Sequence, residues 1–491
     1  MYLRPSEQKL VRLQTKEKGS ITVFLSLSIM IILSLVLALY QGARIGAVRM
    51  KTECVADIAM NSVLAEYSRQ LYEQYGLLMV DSSYGSGSHS VLSTQEHLKN
   101  YVQKNFDRSL YGGAINAQTM TAMYCKDAKL TGYSLASDNN GEPLERQILA
   151  YMAAEPVGEL VSEVLGNVES LQGGGLDTTD VDEMAAANQE LIDSIKLPKI
   201  KKEDGTEETI AVGNPADVVN SQRGISVLGL AVRDRSRISM TRINPSLYAT
   251  GRQLNCGTGL RENAGISAGD KVLLDEYYFE KCSRYGDELD KSVLKYQMEY
   301  LIYGQSSDYG NLEKMAQTLF FWREASNYIY LMGCGPKLQE AEAVATALSA
   351  VALCPELKEP IKYSIIFAWS FAESISDLRI LFEGGRVPLL KSDSTWNLGF
   401  LEMFDFRGHL QKTDCGEGLY YKDYLRIKAL LTPEKEKLMR MMDIMEMDIR
   451  ETEGNGSFQI DDCIDVMKAD IVVGTRFGYE AQIERVFGYE E

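Results

Sequence analysis

The sequence predicts an α+β fold, richer in helix than in strand, in a domain behind one N-terminal transmembrane helix. Residues 21–39 form an uninterrupted apolar run, and the C-terminal half repeats apolar residues at helical spacing between Pro and Gly. With 491 residues, the chain is long enough to bury a large core. Its net charge of −18 argues against a nucleic-acid-binding protein, which needs a basic face.

The membrane segment reads ITVFLSLSIMIILSLVLAL and contains no charged residue, no Pro and no Gly. As a helix it spans about 28 Å, close to the hydrocarbon thickness of a bilayer. A cleaved secretory signal has a shorter apolar part, so we expect an uncleaved signal anchor. Five Lys or Arg precede the run and three follow it within twenty residues. This bias predicts a single-pass protein of the cell membrane, with residues 1–20 as a basic cytoplasmic leader and a large acidic extracellular domain.

The first half of that domain is predicted in three parts. Residues 40–76 predict a helical stem that contacts the rest of the chain along part of its length. Residues 77–170 predict a first α+β region, with strands at 77–80 and within 119–135, a helix from Ser93 to Phe106 that a Ser93–Glu96 capping box begins, and a helix over 142–170. Residues 171–213, rich in Gly and acidic residues, predict an exposed insertion with one helix near 181–195.

Residues 214–491 predict the main α+β ectodomain. Strands are expected at 294–303, at 387–390 and within 457–473. Helices are expected from Asp308 or Asn311 to about Met332 and at 338–352, 356–382, 419–431 and 433–450. Residues 361–372 are apolar, but the run has only 12 residues and contains Lys362. This run therefore predicts a buried core helix rather than a second membrane span.

Three patches carry a resemblance to a known family. They are KGSITVFL at 18–25, QMEYLIYG at 297–304 with Asn311, Arg323 and Asn327 downstream, and WSFAESISDLR at 369–379 with 387–392 and 418–421 downstream. With these patches the chain resembles the uncharacterised membrane-anchored proteins that Gram-positive anaerobes encode beside Tad (Flp) pilus genes. The resemblance covers most of the chain except the insertion. It implies association with pilus or secretion-apparatus proteins, in the manner of TadE- and TadG-type pseudopilin-like components, and it implies no activity.

Gly19 and Ser20 form a candidate processing site. A prepilin peptidase cuts after a Gly that joins a short basic leader to an apolar helix, and Lys18, Gly19 and Ser20 have that arrangement. In the other interpretation, Gly19 only breaks the chain and Ser20 caps the membrane helix. Pilins of this class carry Glu five residues into the mature helix, where this chain has Phe24. We therefore expect an uncleaved anchor rather than a bulk filament subunit.

Two sets of charged residues are candidate sites. Glu373 and Asp377 lie four residues apart on one predicted helix, near Arg379. Paired carboxylates can perform acid/base chemistry, but this apolar helix favours a structural ion network in which Arg379 pairs with a carboxylate. A similar set, Asp443, Glu446 and Arg450, predicts ordinary ion pairs on a helix surface.

Cofactor and metal sites are not predicted. Asp81, Ser82 and Ser83 form a degenerate version of a metal-binding loop, and the pattern favours a plain turn. The chain has three His, and its eight Cys include no CxxC pair. Unpaired thiols are favoured over disulfides, and both states stay open.

Three functions follow from these residues. The first is a non-enzymatic, membrane-anchored structural or assembly component of a Tad/Flp-type pilus or secretion apparatus. The alternatives are a surface-anchored hydrolase with an extracytoplasmic active site, acting through Glu373 or a neighbour, and an adhesin that uses the Asp81 loop and a metal. The shortage of His and the lack of a nucleophile motif favour the first.

Overall fold

The structure is a computed structural model that describes residues 5–106, 122–153, 158–201, 207–209, 213–260, 267–287, 292–408 and 413–489. The N-terminal half begins with one very long helix. Its elements are α1 (Pro5–Leu64), α2 (Arg69–Tyr75), β1 (Val80–Asp81), α3 (Val91–Lys104), β2 (Met123–Leu135), α4 (Asp138–Met152), α5 (Gly158–Gly173), α6 (Val181–Ser194), β3 (Lys199–Lys201), β4 (Glu207–Thr209), α7 (Ala216–Asn220) and α8 (Val227–Ala231).

The C-terminal half is helical up to its last two strands. Its elements are α9 (Ala268–Lys281), α10 (Gln297–Tyr303), α11 (Asp308–Gly333), α12 (Gly335–Val351), α13 (Lys358–Phe382), α14 (Tyr421–Leu430), α15 (Glu434–Arg450), β5 (Cys463–Thr475) and β6 (Glu480–Gly488). The predicted class, a helix-rich α+β fold behind one long apolar N-terminal helix, is confirmed.

One antiparallel sheet joins the two halves of the chain. β5 is its central strand, with β2 along one edge and with β1 and β6 along the other. The register places Ala128 opposite Ile471 in the β2–β5 pair, and Ile471 opposite Ile483 in the β5–β6 pair. The regions 77–170 and 214–491 therefore share a sheet, because β5 pairs with both β1 and β2.

Two hydrophobic clusters form the core. The larger surrounds α13, in which every residue from Ser364 to Phe382 is buried. The predicted apolar run at 361–372 is thus part of a buried helix, as expected. The smaller cluster lies between α1, α3 and one face of the sheet.

Several sequence predictions are wrong in type or position. Residues 297–303 form helix α10 rather than a strand; because residues 297–302 are all buried, no one-sided helical period is visible in the sequence. The helix expected at Ser93 begins at Val91, after Ser90, so Ser93 does not cap it. At 387–390 there is only an isolated bridge, between Val387 and Leu419. Strand β6 was not predicted.

The segment expected to be an exposed insertion is attached to the core. Leu171, Leu176 and Val181 are buried, and Asn188 of α6 donates a hydrogen bond to the carbonyl of Pro360 in α13 at 2.9 Å. These three apolar side chains of the acidic segment face the core, whereas Leu191 of α6 is 52% exposed. Composition alone did not indicate that a few buried apolar residues attach this segment to the core.

Candidate functional site at the α1–sheet junction and in a buried charge network

The apolar run at residues 21–39 of α1 is exposed on all sides. Phe24 is 74% exposed and Leu39 is 67% exposed, at opposite ends of the run. Ser26 and Ser34 donate hydrogen bonds to the carbonyls of Val23 and Ile31, which suits an apolar environment. In the described part of the chain, α1 alone is long and apolar enough to cross a membrane. This helix is compatible with a single-pass membrane anchor.

The second half of α1 is a core element of the domain. Val55, Ala56, Ala59, Met60 and Val63 are at most 5% exposed. They pack in the cluster that holds the inner side chains of the sheet, including those of β5. Exposed and buried halves belong to one unbroken helix, so the apolar span and the domain core are joined without a linker.

The turn between β5 and β6 contacts α1 where the buried half begins. The guanidinium carbon of Arg44 lies 3.6 Å from the ring centroid of Phe477, and Arg49 donates a hydrogen bond to the hydroxyl of Tyr479 at 2.8 Å. Further along α1, Asp57 pairs with Arg485 at 2.8 Å. Polar contacts thus fix the hairpin to the helix at both ends of their interface.

The candidate processing residues lie inside α1. Gly19 and Ser20 are part of the helix that begins at Pro5, so Gly19 does not break the chain and Ser20 does not cap a helix there. A helix tolerates one Gly at a cost of about 1 kcal/mol. The uncleaved anchor remains a prediction.

The carboxylates of Glu373 and Asp377 lie together in a fully buried network, and the cations of this network are distant in sequence. Lys391 Nζ lies 2.7 Å from Glu373 Oε1 and 2.7 Å from Asp377 Oδ1, and Arg323 Nε lies 3.0 Å from Asp377 Oδ2. Asn327 also donates to Asp377, at 3.1 Å. Burial raises the pKa of Glu373, against the opposing effect of Lys391.

Both carboxylate oxygens of Glu373 accept hydrogen bonds from the protein. Its Oε1 accepts from Lys391 and from the backbone N–H of Asn397, and its Oε2 accepts from the N–H of Leu398 at 2.9 Å. Trp369 and Trp396 both donate to the carbonyl of Leu398. The carboxylate therefore fixes the loop after Lys391 against α13, and it is 0% exposed.

Arg379 does not join this network, and the prediction that it pairs with Glu373 or Asp377 is wrong. At 100° per residue, position 379 points away from positions 373 and 377 on the helix. Arg379 instead donates to the carbonyls of Leu230, at 3.0 Å, and Phe406, at 2.6 Å. Burial, helped by the nearby charge of Arg233, lowers the pKa of Arg379 to about 10.

Asp443 and Glu446 are buried rather than on a helix surface, contrary to prediction. Glu446 pairs with Arg252 at 2.5 Å and with Arg450 at 2.9 Å. Asp443 accepts hydrogen bonds from Thr250 and from the hydroxyl of Tyr300, both at 2.6 Å. These contacts hold the segment around Thr250 against α15. Thr250 and Arg252 could not be predicted as partners, because they lie 193 and 194 residues from Asp443 and Glu446 in the sequence.

The Asp81 loop is a hydrogen-bonded turn. Asp81 Oδ1 accepts from the N–H of Ser83 at 2.8 Å, and Ser83 Oγ accepts from the N–H of Gly85 at 3.3 Å. Asp81 ends a two-residue strand of an antiparallel sheet, a different place from the carboxyl edge of a parallel sheet. Among the described residues, no group of three His, Cys, Asp or Glu is arranged to hold a metal.

All eight cysteines are free thiols in the structure. Cys54 and Cys256 are exposed, and Cys282, Cys354 and Cys463 are buried. Burial raises the pKa of Cys282 and Cys463 well above the usual thiol value. These two side chains therefore behave as small apolar groups rather than nucleophiles.

Two cavities contain charged side chains that the sequence did not single out. One, of about 540 Å³, lies between α6, α7 and α13, where Arg223 pairs with Asp182 and with Glu324. The other, of about 900 Å³, lies beside α2 and α15. There, Asp448 accepts hydrogen bonds from Tyr75 at 2.9 Å and Gln297 at 2.7 Å, and burial raises its pKa. Glu324 and Asp448 therefore already accept hydrogen bonds from protein donors.

Comparison with protein families finds one match. Residues 205–475 match a family described as a family of unknown function, DUF5702, and this range is more than half of the chain. The chain belongs to this family. The DUF5702 range contains the network of Arg323, Glu373, Asp377 and Lys391 together with β5, and it begins after α1. The family description names no activity and does not mention Tad pili. No curated protein and no solved structure matches the chain.

Proposed function

We propose that this DUF5702 protein is a non-enzymatic, membrane-anchored structural or assembly component of a Tad/Flp-type pilus or secretion apparatus. The observation that carries the proposal is α1, which exposes an apolar half and inserts its other half into the core of the domain. A helix built in this way transmits any lateral contact in the membrane directly to the domain.

The arrangement of α1 on an antiparallel sheet supports the pseudopilin-like part of the proposal. In such components, an N-terminal helix packs laterally with the helices of partner subunits, and an exported domain covers its second half. Phe24 stands where a bulk pilin has Glu, so the proposed role is that of an accessory subunit. The proposed partners are pilus or secretion-apparatus proteins with apolar helices of their own.

The buried charges support a structural role rather than a catalytic one. Lys391, Glu373 and Asp377 are each 0% exposed in their side chains. Their polar atoms bind one another, the backbone, or other side chains, including those of Arg323 and Asn327. A catalytic acid or base must reach its substrate. The network is instead suited to fixing the fold of the domain.

A site-specific photo-crosslinker at Ile31 tests the partner. Ile31 is 60% exposed in the apolar half of α1, and the matched control is Leu92, which is 74% exposed on the domain. In intact cells we expect adducts at Ile31 with pilus or secretion-apparatus membrane proteins, identified by mass spectrometry, and none of these at Leu92. Adducts with lipid alone at Ile31 would contradict the proposal.

The proposed orientation places the domain outside the cell and residues 1–20 in the cytoplasm. A membrane-impermeant maleimide should label the exposed Cys256 in intact cells of a Cys54→Ser variant, and the signal should fall when Cys256→Ser is added. In that cysteine-reduced variant, Gln8→Cys should react only after permeabilisation. Labelling at position 8 without Cys256 labelling would reverse the orientation.

A further inference from the structure

The end of the domain nearest the apolar half of α1 carries aromatic and basic side chains together. Arg44 and Arg49 come from α1, and Arg476, Phe477 and Tyr479 come from the β5–β6 turn. These five residues are called the membrane-proximal rim. Arg476 is exposed, while Phe477 and Tyr479 are half-buried.

The position of the rim matches the headgroup layer of a bilayer. Arg44 lies five residues beyond Leu39, or about 7.5 Å along the helix. The headgroup region extends about 5–8 Å beyond the hydrocarbon on each side. Phe477 stacks on Arg44, so its ring lies at the same depth, and the ring centroid of Tyr479 lies 6.4 Å from that of Phe477. Tyr is enriched at the membrane interface, and the long side chain of an Arg near a helix end reaches it.

The charge of the rim is opposite to that of the chain. α1 has no acidic residue between Glu17 and Glu53, although the chain as a whole carries −18. Glu480, the acid that follows the turn, pairs with Lys126 at 2.5 Å. Arg476 forms no ion pair with an acidic side chain among the described residues. A basic rim on an acidic body attracts an anionic surface at this one end.

We propose that the membrane-proximal rim binds the headgroups of anionic phospholipids. Arg476 supplies the exposed charge, and Phe477 and Tyr479 hold the turn at the bilayer surface. The rim thereby sets the height and tilt of the domain above the membrane. This inference rests on the part of the proposed function that places α1 across the bilayer, and it is independent of the identity of the protein partner.

The test is native mass spectrometry of the full chain in detergent, titrated with phosphatidylglycerol or phosphatidylcholine. We expect phosphatidylglycerol to bind more tightly, and Arg476→Gln to weaken its binding on the order of fivefold, as one juxtamembrane charge does. Arg476→Lys keeps the charge and should keep the affinity. Arg12→Gln is the matched control, because it removes one charge from the leader at the other side of the membrane.

Each other outcome overturns the inference. Equal affinity for the two lipids, an unchanged affinity in Arg476→Gln, or a loss in Arg12→Gln alone would assign the binding elsewhere. Displacement of the lipid by millimolar inorganic phosphate would indicate a site for free anions. If the full chain stays monomeric without detergent, α1 is not a membrane anchor, and the proposed function is contradicted as well.

Discussion

At the scale of single residues, buried charges mark the places where distant segments meet. Lys391 contacts Glu373 and Asp377 of α13 while its own segment runs beside α11. The sequence placed the two carboxylates on one helix correctly. It could not supply Lys391 or Arg323 as partners, because ion pairing across 14 to 54 residues leaves no periodic signal.

The first residue-scale prediction concerns Lys391. Lys391→Met leaves two buried carboxylates with one cation fewer, and we expect the free energy of unfolding of the full chain in detergent to fall by about 3–5 kcal/mol. Lys314→Met, at an exposed position on α11, should change it by no more than about 0.5 kcal/mol. Urea denaturation provides the measurement. Adding Glu373→Gln to Lys391→Met should recover part of the loss; equal stability of Lys391→Met and wild type would refute the role of the network.

The second residue-scale prediction concerns Glu299, which is 0% exposed and accepts a hydrogen bond from the hydroxyl of Tyr421 at 2.6 Å. Burial raises its pKa to about 7, above about 4.3 in the unfolded chain. The folded state therefore binds the proton more tightly, and this group lowers stability as the pH rises from about 4.3 to about 7.

Glu299→Gln removes that titration and keeps a neutral acceptor. Relative to wild type, the variant should gain about 1.4 kcal/mol of unfolding free energy for each pH unit across this window, and the gain should level off above pH 7. Urea denaturation at pH 5, 6, 7 and 8 measures the difference. Parallel curves for the two proteins would mean that Glu299 is ionised throughout.

At the scale of elements, long helices were predicted well and short buried ones were not. The bounds of α11 and α13 lie within a few residues of the prediction, since each has many apolar residues and clear Pro or Gly ends. α10 has seven residues and is buried, so its pattern carries no helical period. The Arg379 prediction failed for a related reason: sequence proximity did not specify which way the side chain points from α13.

The element-scale prediction concerns the packing of α1 on the sheet. Met60 is 0% exposed, and its neighbour Ile58, on the same helix, is 51% exposed. Met60→Ala should lower the free energy of unfolding by about 2–5 kcal/mol, because it leaves a cavity against the sheet. Ile58→Ala should change it by about 0.5 kcal/mol or less. Hydrogen exchange of the β5 amides is the measurement. Equal exchange in the two variants would mean that α1 is not core.

At the scale of the whole molecule, the first half of α1 is the apolar segment and its second half is part of the domain core. The sequence indicated the membrane segment by its composition and predicted residues 40–76 as a stem. The sequence did not show that buried side chains of the stem belong to the smaller hydrophobic cluster, because the buried positions of α1 alternate with polar ones. The sheet that receives α1 contains β5 and β6, so the smaller core cluster needs side chains from α1 and from these two strands.

Two fragments test this central claim most directly. A fragment that begins at Gln41 loses the apolar run and keeps the buried half of α1, whereas one that begins at Leu77 loses both. The account predicts that the Gln41 fragment is soluble without detergent and unfolds in one cooperative transition. It predicts that the Leu77 fragment aggregates or lacks a cooperative transition, because the apolar face of the sheet is uncovered. A Leu77 fragment as soluble and as cooperative as the Gln41 fragment would contradict the account.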